Sequence, residues 1–93
     1  MEDASFPGFA DLARRLGQRA RALGLAVPGF RTPPCVGGSV RTLRRRGDGT
    51  AVVAVQVRGR ALSAVAADLV EGVVAANRLT GAEAERARAS LLP

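Results

Sequence analysis

The segment RTLRRRGDGTAVVAVQVR, residues 41–58, places an arginine-rich run and a valine-rich run on either side of the tripeptide Gly-Asp-Gly. Valine favours strands, and a Gly- and Asp-containing break between two such runs is typical of a hairpin turn. The pattern predicts antiparallel strands over 39–46 and 50–58. A hairpin is marginal alone and must bury one face, so this feature limits the fold to helices packed on a small sheet.

The turn length sets the register of this hairpin and therefore which side chains are buried. A two-residue type I′ turn at Asp48-Gly49 predicts an inner face made of Val40, Thr42, Val53, Val55 and Val57. In this register Arg41, Arg45 and Arg58 lie on the outer face, while Arg44 and Arg46 lie on the valine side near the tip. A three-residue loop would instead pair the valines with Arg41, Leu43 and Arg45. The two-residue turn is preferred because the other register buries charge.

Two amphipathic segments flank the hairpin. At about 100° per residue, the apolar residues of 9–23 fall in one narrow sector, as do those of 60–78, and each set predicts a helix. Gly24 is placed to end the first helix. The sequence TGAE, from Thr80, matches a capping box that begins a short third helix to about residue 92, which we expect to fray. Gly72 and Ala76, four residues apart in the second helix, have two interpretations: they allow another helix to approach closely, or Gly72 relieves crowding against the hairpin.

The predicted fold class is α+β, a single small domain over residues 1–93 with the order α-β-β-α-α. Two amphipathic helices cover one face of the β-hairpin in this prediction. The Pro/Gly-rich segment 31–38 is expected to be a loop, and the ends, about 1–8 and 90–93, are expected to fray. Both strand edges of a hairpin are open, so we expect a homodimer through a strand edge as one way to complete the sheet.

Positive charge is concentrated in the first two thirds of the chain. All 14 basic residues are arginine and the net charge is +6. Residues 1–60 hold eleven arginines against four acids, a balance of +7, whereas 61–93 hold three arginines against four acids. Guanidinium groups bind phosphate oxygens bidentately, so this distribution predicts duplex nucleic acid as a partner. The candidate nucleic-acid-binding residues are Arg14, Arg15, Arg21, Arg41, Arg44, Arg45, Arg46, Arg58 and Arg60.

The alternative hypothesis is a non-enzymatic protein-interaction or homo-oligomerisation module, in which the arginines form a soluble surface and guard a strand edge. Between nucleic acids, the scarcity of aromatic residues favours a duplex backbone over stacked single-stranded bases. The α-hairpin-α order is loosely similar to that of small dimeric nucleoid-associated proteins. This likeness is one of topology and includes no shared motif, so no residue roles are transferred.

The residue types that are missing exclude most catalytic chemistry. The chain has no His, Lys, Tyr or Trp and one cysteine, Cys35. Imidazole bases, Schiff-base lysines and thiolate zinc sites are therefore excluded, and we predict no enzyme, no cofactor, no metal and no small-molecule substrate. Asp68 and Glu71 are interpreted as a solvated helix face. No apolar run reaches the about 20 residues of a spanning helix, so no membrane contact and a cytoplasmic location are expected.

Overall fold

The computed structural model of the protein describes residues 8–32 and 40–92. Its helices are α1 (Phe9–Ala22), α2 (Leu62–Ala76) and α3 (Gly81–Leu91), and its strands are β1 (Gly29–Arg31), β2 (Arg41–Arg45) and β3 (Ala51–Val55). The order α-β-β-β-α-α confirms a single α+β domain and adds one strand to the predicted elements. The predictions of fraying at 1–7 and 93 and of a loop over 33–38 lie outside the described residues, as does Cys35.

The three strands form a mixed sheet in the order β1-β3-β2. β3 is central, with β2 antiparallel on one side and β1 parallel on the other, where Phe30 is opposite Val53. The predicted loop over 31–38 therefore begins inside a strand, at Arg31. Three residues are too few to show a period-two pattern, which is why β1 was not predicted. β1 also covers one of the two hairpin edges that were expected to be open.

The hairpin pairs in the register that the sequence argument rejected. Leu43 is opposite Val53 and Arg41 is opposite Val55. The connection is a three-residue loop, in which Arg46 N donates to Thr50 O at 2.8 Å and Gly49 N donates to Arg46 O at 3.0 Å. Gly49 has a φ of 91°, the left-handed conformation that follows a type I turn in such loops. The predicted two-residue turn is therefore wrong.

This register is stable because both arginines of the inner face find acceptors on α2. The Arg41 Nη1 donates to Asp68 Oδ1 at 2.8 Å, and the Arg45 Nη2 donates to the carbonyl oxygens of Ala75 and Ala76 at 3.2 and 3.1 Å. Leu43, between the two arginines, packs against the core. The charge that argued against this pairing is thus satisfied by hydrogen bonds rather than buried alone.

The predicted faces of the hairpin change accordingly. Val53 and Val55 are buried, as predicted. Val40 is 44% exposed and Thr42 is also exposed, so neither belongs to the inner face. Arg44 and Arg46, predicted on the valine side, take the opposite side of the sheet because every residue of β2 has moved by one position relative to β3.

Helix α2 covers the sheet, and α1 packs mainly against α2 and α3 rather than lying beside α2 on the hairpin. At Gly72 an added Cβ would lie 2.6 Å from Val53 Cγ1, so of the two interpretations of this glycine the structure supports relief of crowding against the hairpin. Val65, Leu69 and Val73 of α2 are fully buried. The prediction that two helices cover the hairpin face is replaced by three layers: sheet, α2, and then α1 with α3.

The helix ends follow capping rules only in part. Gly24, with a φ of 79°, ends α1 as predicted, and its N–H donates to Arg21 O at 2.9 Å. Thr80 stands at the N-cap of α3, but within the described residues its side chain makes no capping hydrogen bond, so the predicted capping box does not form. α3 nevertheless continues to Leu91, which is 1% exposed and anchors the helix that was expected to fray.

A side chain at the end of α2 holds β1 in place. The Asn77 Oδ1 accepts from Ala26 N and its Nδ2 donates to Ala26 O, both at 2.9 Å, so the amide pairs with the backbone as a neighbouring strand would. The same Nδ2 donates to Val73 O at 2.9 Å. This clamp fixes the chain just before β1 and so positions Phe30 and Arg31 on the sheet. No sequence pattern identified it.

Candidate nucleic-acid interface

The arginines of the protein divide into those that have an acceptor within the chain and those that have none among the described residues. The first group comprises Arg14, Arg15, Arg19, Arg41, Arg45, Arg60 and Arg88. The second group comprises Arg21, Arg31, Arg44, Arg46, Arg58, Arg78 and Arg86. A guanidinium in the second group keeps all five of its N–H donors available to an external partner.

Asp68 accounts for two of the predicted site residues. This carboxylate is 9% exposed and lies between Arg41 and Arg60, whose Nη2 donates to Oδ2. Arg60 also donates through Nη1 to Gln56 O at 2.8 Å. Removing Asp68 would leave both guanidinium groups without their carboxylate, so this cluster stabilises the joint between the sheet and α2.

Glu71, the second acid of that helix, is also paired. Its two oxygens accept from Arg88 Nε at 2.7 Å and Nη2 at 3.1 Å, a bidentate pair that joins α2 to α3. The hydrogen bond from Arg88 to Glu71 raises the pKa of Arg88 above its ordinary value. The interpretation of Asp68 and Glu71 as a solvated face is therefore wrong, because both helix faces they occupy are covered by other elements.

Arg45 binds the C-terminal end of α2. Its guanidinium donates to the carbonyl oxygens of Ala75 and Ala76 in the last turn of the helix, of which Ala75 O also accepts from Arg78 N at 3.1 Å. A cation at this end also interacts favourably with the helix dipole. The Arg45 guanidinium therefore holds α2 against β2. Arg45 is also among the residues that line the cleft described next.

The face of the sheet opposite α2 carries a cleft of about 540 Å³, which we call the open-face cleft. In register, Arg44 is opposite Val52, Thr42 is opposite Ala54, and Arg31 on β1 is beside Ala54. Its lining residues are Arg31, Thr42, Arg44, Arg45, Arg46, Val52 and Ala54. The side chains of β3 form its half-buried apolar floor, and arginines surround that floor.

The spacing of the rim arginines follows from strand geometry. Arg44 and Arg46 are two residues apart on the same side of the chain, a separation of about 6.8 Å along the strand. Arg31 lies on β1, two strands away across β3, which is about 9.6 Å in the hydrogen-bonding direction. No acidic residue among those described lines the cleft. The lining charges are therefore all positive, and the nearest acid the structure shows is Asp48 of the hairpin loop, which interacts electrostatically with Arg46.

The remaining predicted site residues lie elsewhere. Arg14 and Arg15 pair with Asp11 on the exposed side of α1, and Arg15 lines a separate cavity between the helices that shares no lining residue with the open-face cleft. Arg58 is exposed at the turn that follows β3, at the opposite end of that strand from the hairpin tip. The arginines of the hairpin and of the first helix thus do not form the single basic surface that was predicted.

The structure therefore brings together Arg44, Arg45 and Arg46 from the predicted set and adds Arg31, which sequence reasoning assigned to a loop. In the sequence, the only indication of β1 is the tripeptide Gly29-Phe30-Arg31, in which an apolar residue stands between a small and a charged one. Such a pattern is too short to distinguish a strand from a turn. Its position on the sheet depends on pairing with β3, about 20 residues later in the chain.

Comparison with known proteins identifies no relative: no family model, no curated protein and no solved structure matches the chain. Within residues 8–32 and 40–92, no group of three or more Cys, Asp or Glu side chains is placed to hold a metal ion. No helix in this part of the chain is both long enough and apolar enough to cross a bilayer.

Proposed function

We propose that the protein binds duplex nucleic acid through its phosphate backbone, using Arg31, Arg44 and Arg46 around the open-face cleft. The observation that carries this proposal is that these three arginines face one cleft and have no acceptor among the described residues. The arginines of the α2 joint are occupied by Asp68 and by helix carbonyls, so their use would first break internal contacts.

The chemistry of the guanidinium group supports a phosphate ligand. A planar guanidinium donates two parallel hydrogen bonds to one phosphate, and neutralising a phosphate releases condensed counterions. Such binding needs no base contacts and weakens as salt is added. The shallow floor of Val52 and Ala54 allows a backbone to approach the rim without a polar group being buried unpaired.

Duplex is favoured over single-stranded nucleic acid because the cleft offers no stacking surface. No aromatic residue lines it among the residues described, and Phe30 packs toward the core on the other side of the sheet. Proteins that bind single strands stack bases on aromatic side chains, whereas a two-stranded ribbon can enter the major groove of a duplex. Arg46, beside the hairpin loop, is the rim arginine nearest the tip.

The test compares two triple variants of equal charge. R31Q/R44Q/R46Q removes the three rim arginines, and R21Q/R78Q/R86Q removes three exposed arginines outside the cleft; each lowers the net charge by three, from +6 to +3. Fluorescence anisotropy with a labelled duplex of about 20 base pairs, two helical turns, measures affinity between about 50 and 200 mM salt. We expect the cleft variant to reduce the salt slope by about 3 and the control to keep most of the wild-type affinity.

Three outcomes would contradict the proposal. Equal losses in the two triple variants would mean that net charge alone drives association. A wild-type protein that does not bind duplex at the lowest salt would exclude the function, and tighter binding to a single strand of the same sequence would exclude the duplex. Circular dichroism and thermal unfolding of each variant establish that a loss of binding is not a loss of fold.

A second candidate function, homo-oligomerisation, rests on the free edge of β2. Arg46 N donates to Thr50 O, and Val40 O accepts from Gln56 N, so the even-numbered residues on the β2 side of the hairpin make the backbone hydrogen bonds to the β3 side. The N–H and C=O groups of Leu43 and of its odd-numbered neighbours therefore point away from β3. A free edge of this kind can pair with a second copy, although its arginines oppose that pairing by charge repulsion. Sedimentation over a concentration series distinguishes the two functions, because a monomer at all concentrations excludes edge pairing.

A further inference from the structure

A second cavity lies on the helical side of the molecule, between α1, α2 and α3, and we call it the helical groove. It has a volume of about 280 Å³. Its floor is aliphatic and includes Leu16, Val70 and Leu91, all buried. At its mouth Leu62 is 46% exposed, the most exposed large apolar side chain of the described residues. An aliphatic groove with an exposed leucine at its rim has space where apolar side chains of a partner can be buried.

Both charged residues that line the helical groove are arginines, Arg15 and Arg19 of α1. The Arg19 Nη1 donates to Leu91 O at 3.1 Å, which holds the side chain against the groove while its other N–H groups remain available. Arg15 pairs with Asp11 Oδ2 at 2.8 Å, and both side chains of this pair are about half exposed. Exposed pairs of this type contribute about 0 to 1 kcal/mol, so an incoming carboxylate can replace Asp11.

The open shape of the groove favours a peptide over a small molecule. Sites for drug-sized ligands and cofactors occupy about 300–1,000 Å³ and enclose most of the ligand, whereas this groove is at the lower limit of that range and is open along its mouth. It has room for aliphatic anchor side chains that are carried by a larger scaffold. A helix laid in a groove binds in this way, through apolar residues on one face.

We propose that the helical groove binds an acidic amphipathic helix of a partner protein. The helix inserts aliphatic side chains between α1 and α2, and carboxylates beside its apolar stripe pair with Arg15 and Arg19. These two arginines are four residues apart, about 6 Å along the axis of α1, so glutamates four apart on a helix parallel or antiparallel to α1 match them. This proposal does not depend on nucleic-acid binding, because the helical groove and the open-face cleft share no lining residue.

The test uses three labelled peptides of about 15 residues, long enough to form a helix when bound. The first carries a leucine stripe flanked by glutamates four apart, the second replaces those glutamates with lysine, and the third replaces the leucines with alanine. Anisotropy measures affinity for the full chain, and two-dimensional NMR locates the binding surface. We expect the first peptide to bind at least about tenfold more tightly than either control, with shifts centred on Leu62, Arg15 and Arg19.

Variants of the protein separate the two parts of the interaction. Leu62→Ser, at an exposed position, and R15Q/R19Q are each expected to weaken the first peptide by about tenfold. Asp11→Asn is expected to tighten binding, because it removes the carboxylate that competes for Arg15. R31Q/R44Q/R46Q changes only the open-face cleft and is expected to leave peptide affinity unchanged. If Leu62→Ser weakened binding only by disturbing the fold, R15Q/R19Q would not weaken the affinity for the peptide while Asp11→Asn raises it.

Each other outcome overturns the proposal. If the first peptide does not bind at concentrations up to about 1 mM, the groove has no specific affinity for an acidic helix. Equal binding of the lysine peptide removes the acidic specificity. Dimerisation of the protein that Leu62→Ser abolishes would identify a second copy as the occupant, and peptide binding that appears only after deletion of residues 1–7 would identify the chain's own N-terminal segment.

Discussion

Gly72 of α2 lies so close to Val53 of β3 that a Cβ added at position 72 would meet the Val53 Cγ1 at 2.6 Å and its Cγ2 at 2.9 Å. Both residues are buried, and Val53 is the central residue of the central strand. The absence of a side chain at Gly72 is thus what allows α2 to lie directly on the sheet. The acceptors that α2 offers to β2 are within reach because of this close approach.

Gly72→Ala is therefore expected to destabilise the protein. In an ordinary helix position the same change stabilises by up to about 1 kcal/mol, but an overpacked core costs about 1–3 kcal/mol. Guanidinium unfolding monitored by circular dichroism measures the difference. In a Val53→Ala background the methyl group has space, so Gly72→Ala should become neutral or stabilising there. Equal effects in both backgrounds would show that contact with Val53 does not limit position 72.

Asp68→Asn is expected to cost about 2–4 kcal/mol of unfolding free energy. Loss of one partner from a buried ionic cluster usually costs about 3–5 kcal/mol, and partial exposure of Arg41 reduces this. Asp11→Asn is the matched control, since it removes the same charge from an exposed cluster with Arg14 and Arg15 and is expected to cost about 0–1 kcal/mol. Similar losses in the two variants would mean that Asp68 is not needed to hold β2 on α2.

Arg78→Gly is expected to stabilise the protein by about 1 kcal/mol. Arg78 has a φ of 56° and follows the last turn of α2, where the N–H of Leu79 donates to Val74 O at 3.1 Å. This is the position where helices usually place glycine, because a side chain in the left-handed conformation costs about 1–2 kcal/mol. The reverse substitution, Gly24→Ala at the equivalent position of α1, should destabilise by a similar amount in thermal unfolding. A lower melting temperature for Arg78→Gly would indicate that the Arg78 side chain makes a stabilising contribution of its own.

Thr50→Val is expected to raise the pKa of Asp48. The backbone N–H of Thr50 donates to Asp48 Oδ1 at 3.0 Å and the hydroxyl donates to the same oxygen at 2.7 Å, and these two hydrogen bonds lower the pKa of Asp48 below 3.8. The variant removes only the hydroxyl, so the pKa should move part of the way back. An NMR pH titration of the Asp48 carboxyl carbon measures it, with Thr42→Val as a control on the neighbouring strand.

The sign of the associated stability change follows from the direction of that shift. Because the pKa of Asp48 is lower in the folded than in the unfolded chain, its ionised form stabilises the hairpin loop above the unfolded pKa. This contribution is lost as the pH falls through the folded pKa. Because Thr50→Val brings the folded pKa of Asp48 closer to the unfolded one, the variant should lose less stability than the wild type as the pH falls. An unchanged Asp48 titration would show that the hydroxyl does not bind the carboxylate in solution.

The candidate site could be predicted from sequence only in its charge. The concentration of arginine in residues 41–46 was visible, and Arg44 and Arg46 remain in the proposed interface. Which of these side chains are available was not visible, because availability depends on acceptors elsewhere. Arg41 and Arg60 are bound by one carboxylate of α2, and Arg31 joins the interface only because β1 pairs with β3.

The sequence by itself determined the α+β class, the three helices and the position of the hairpin. Each of these depends on local periodicity or on turn-forming residues, and such signals lie within a few residues of each other. Only the tertiary structure decided the hairpin register. Considered alone, the pairing of Leu43 with Val53 turns two arginines of β2 toward the core. The register is nevertheless stable because α2 supplies acceptors for both, Asp68 and its terminal carbonyl groups. The arginines of β2 are therefore divided between the α2 joint and the open face.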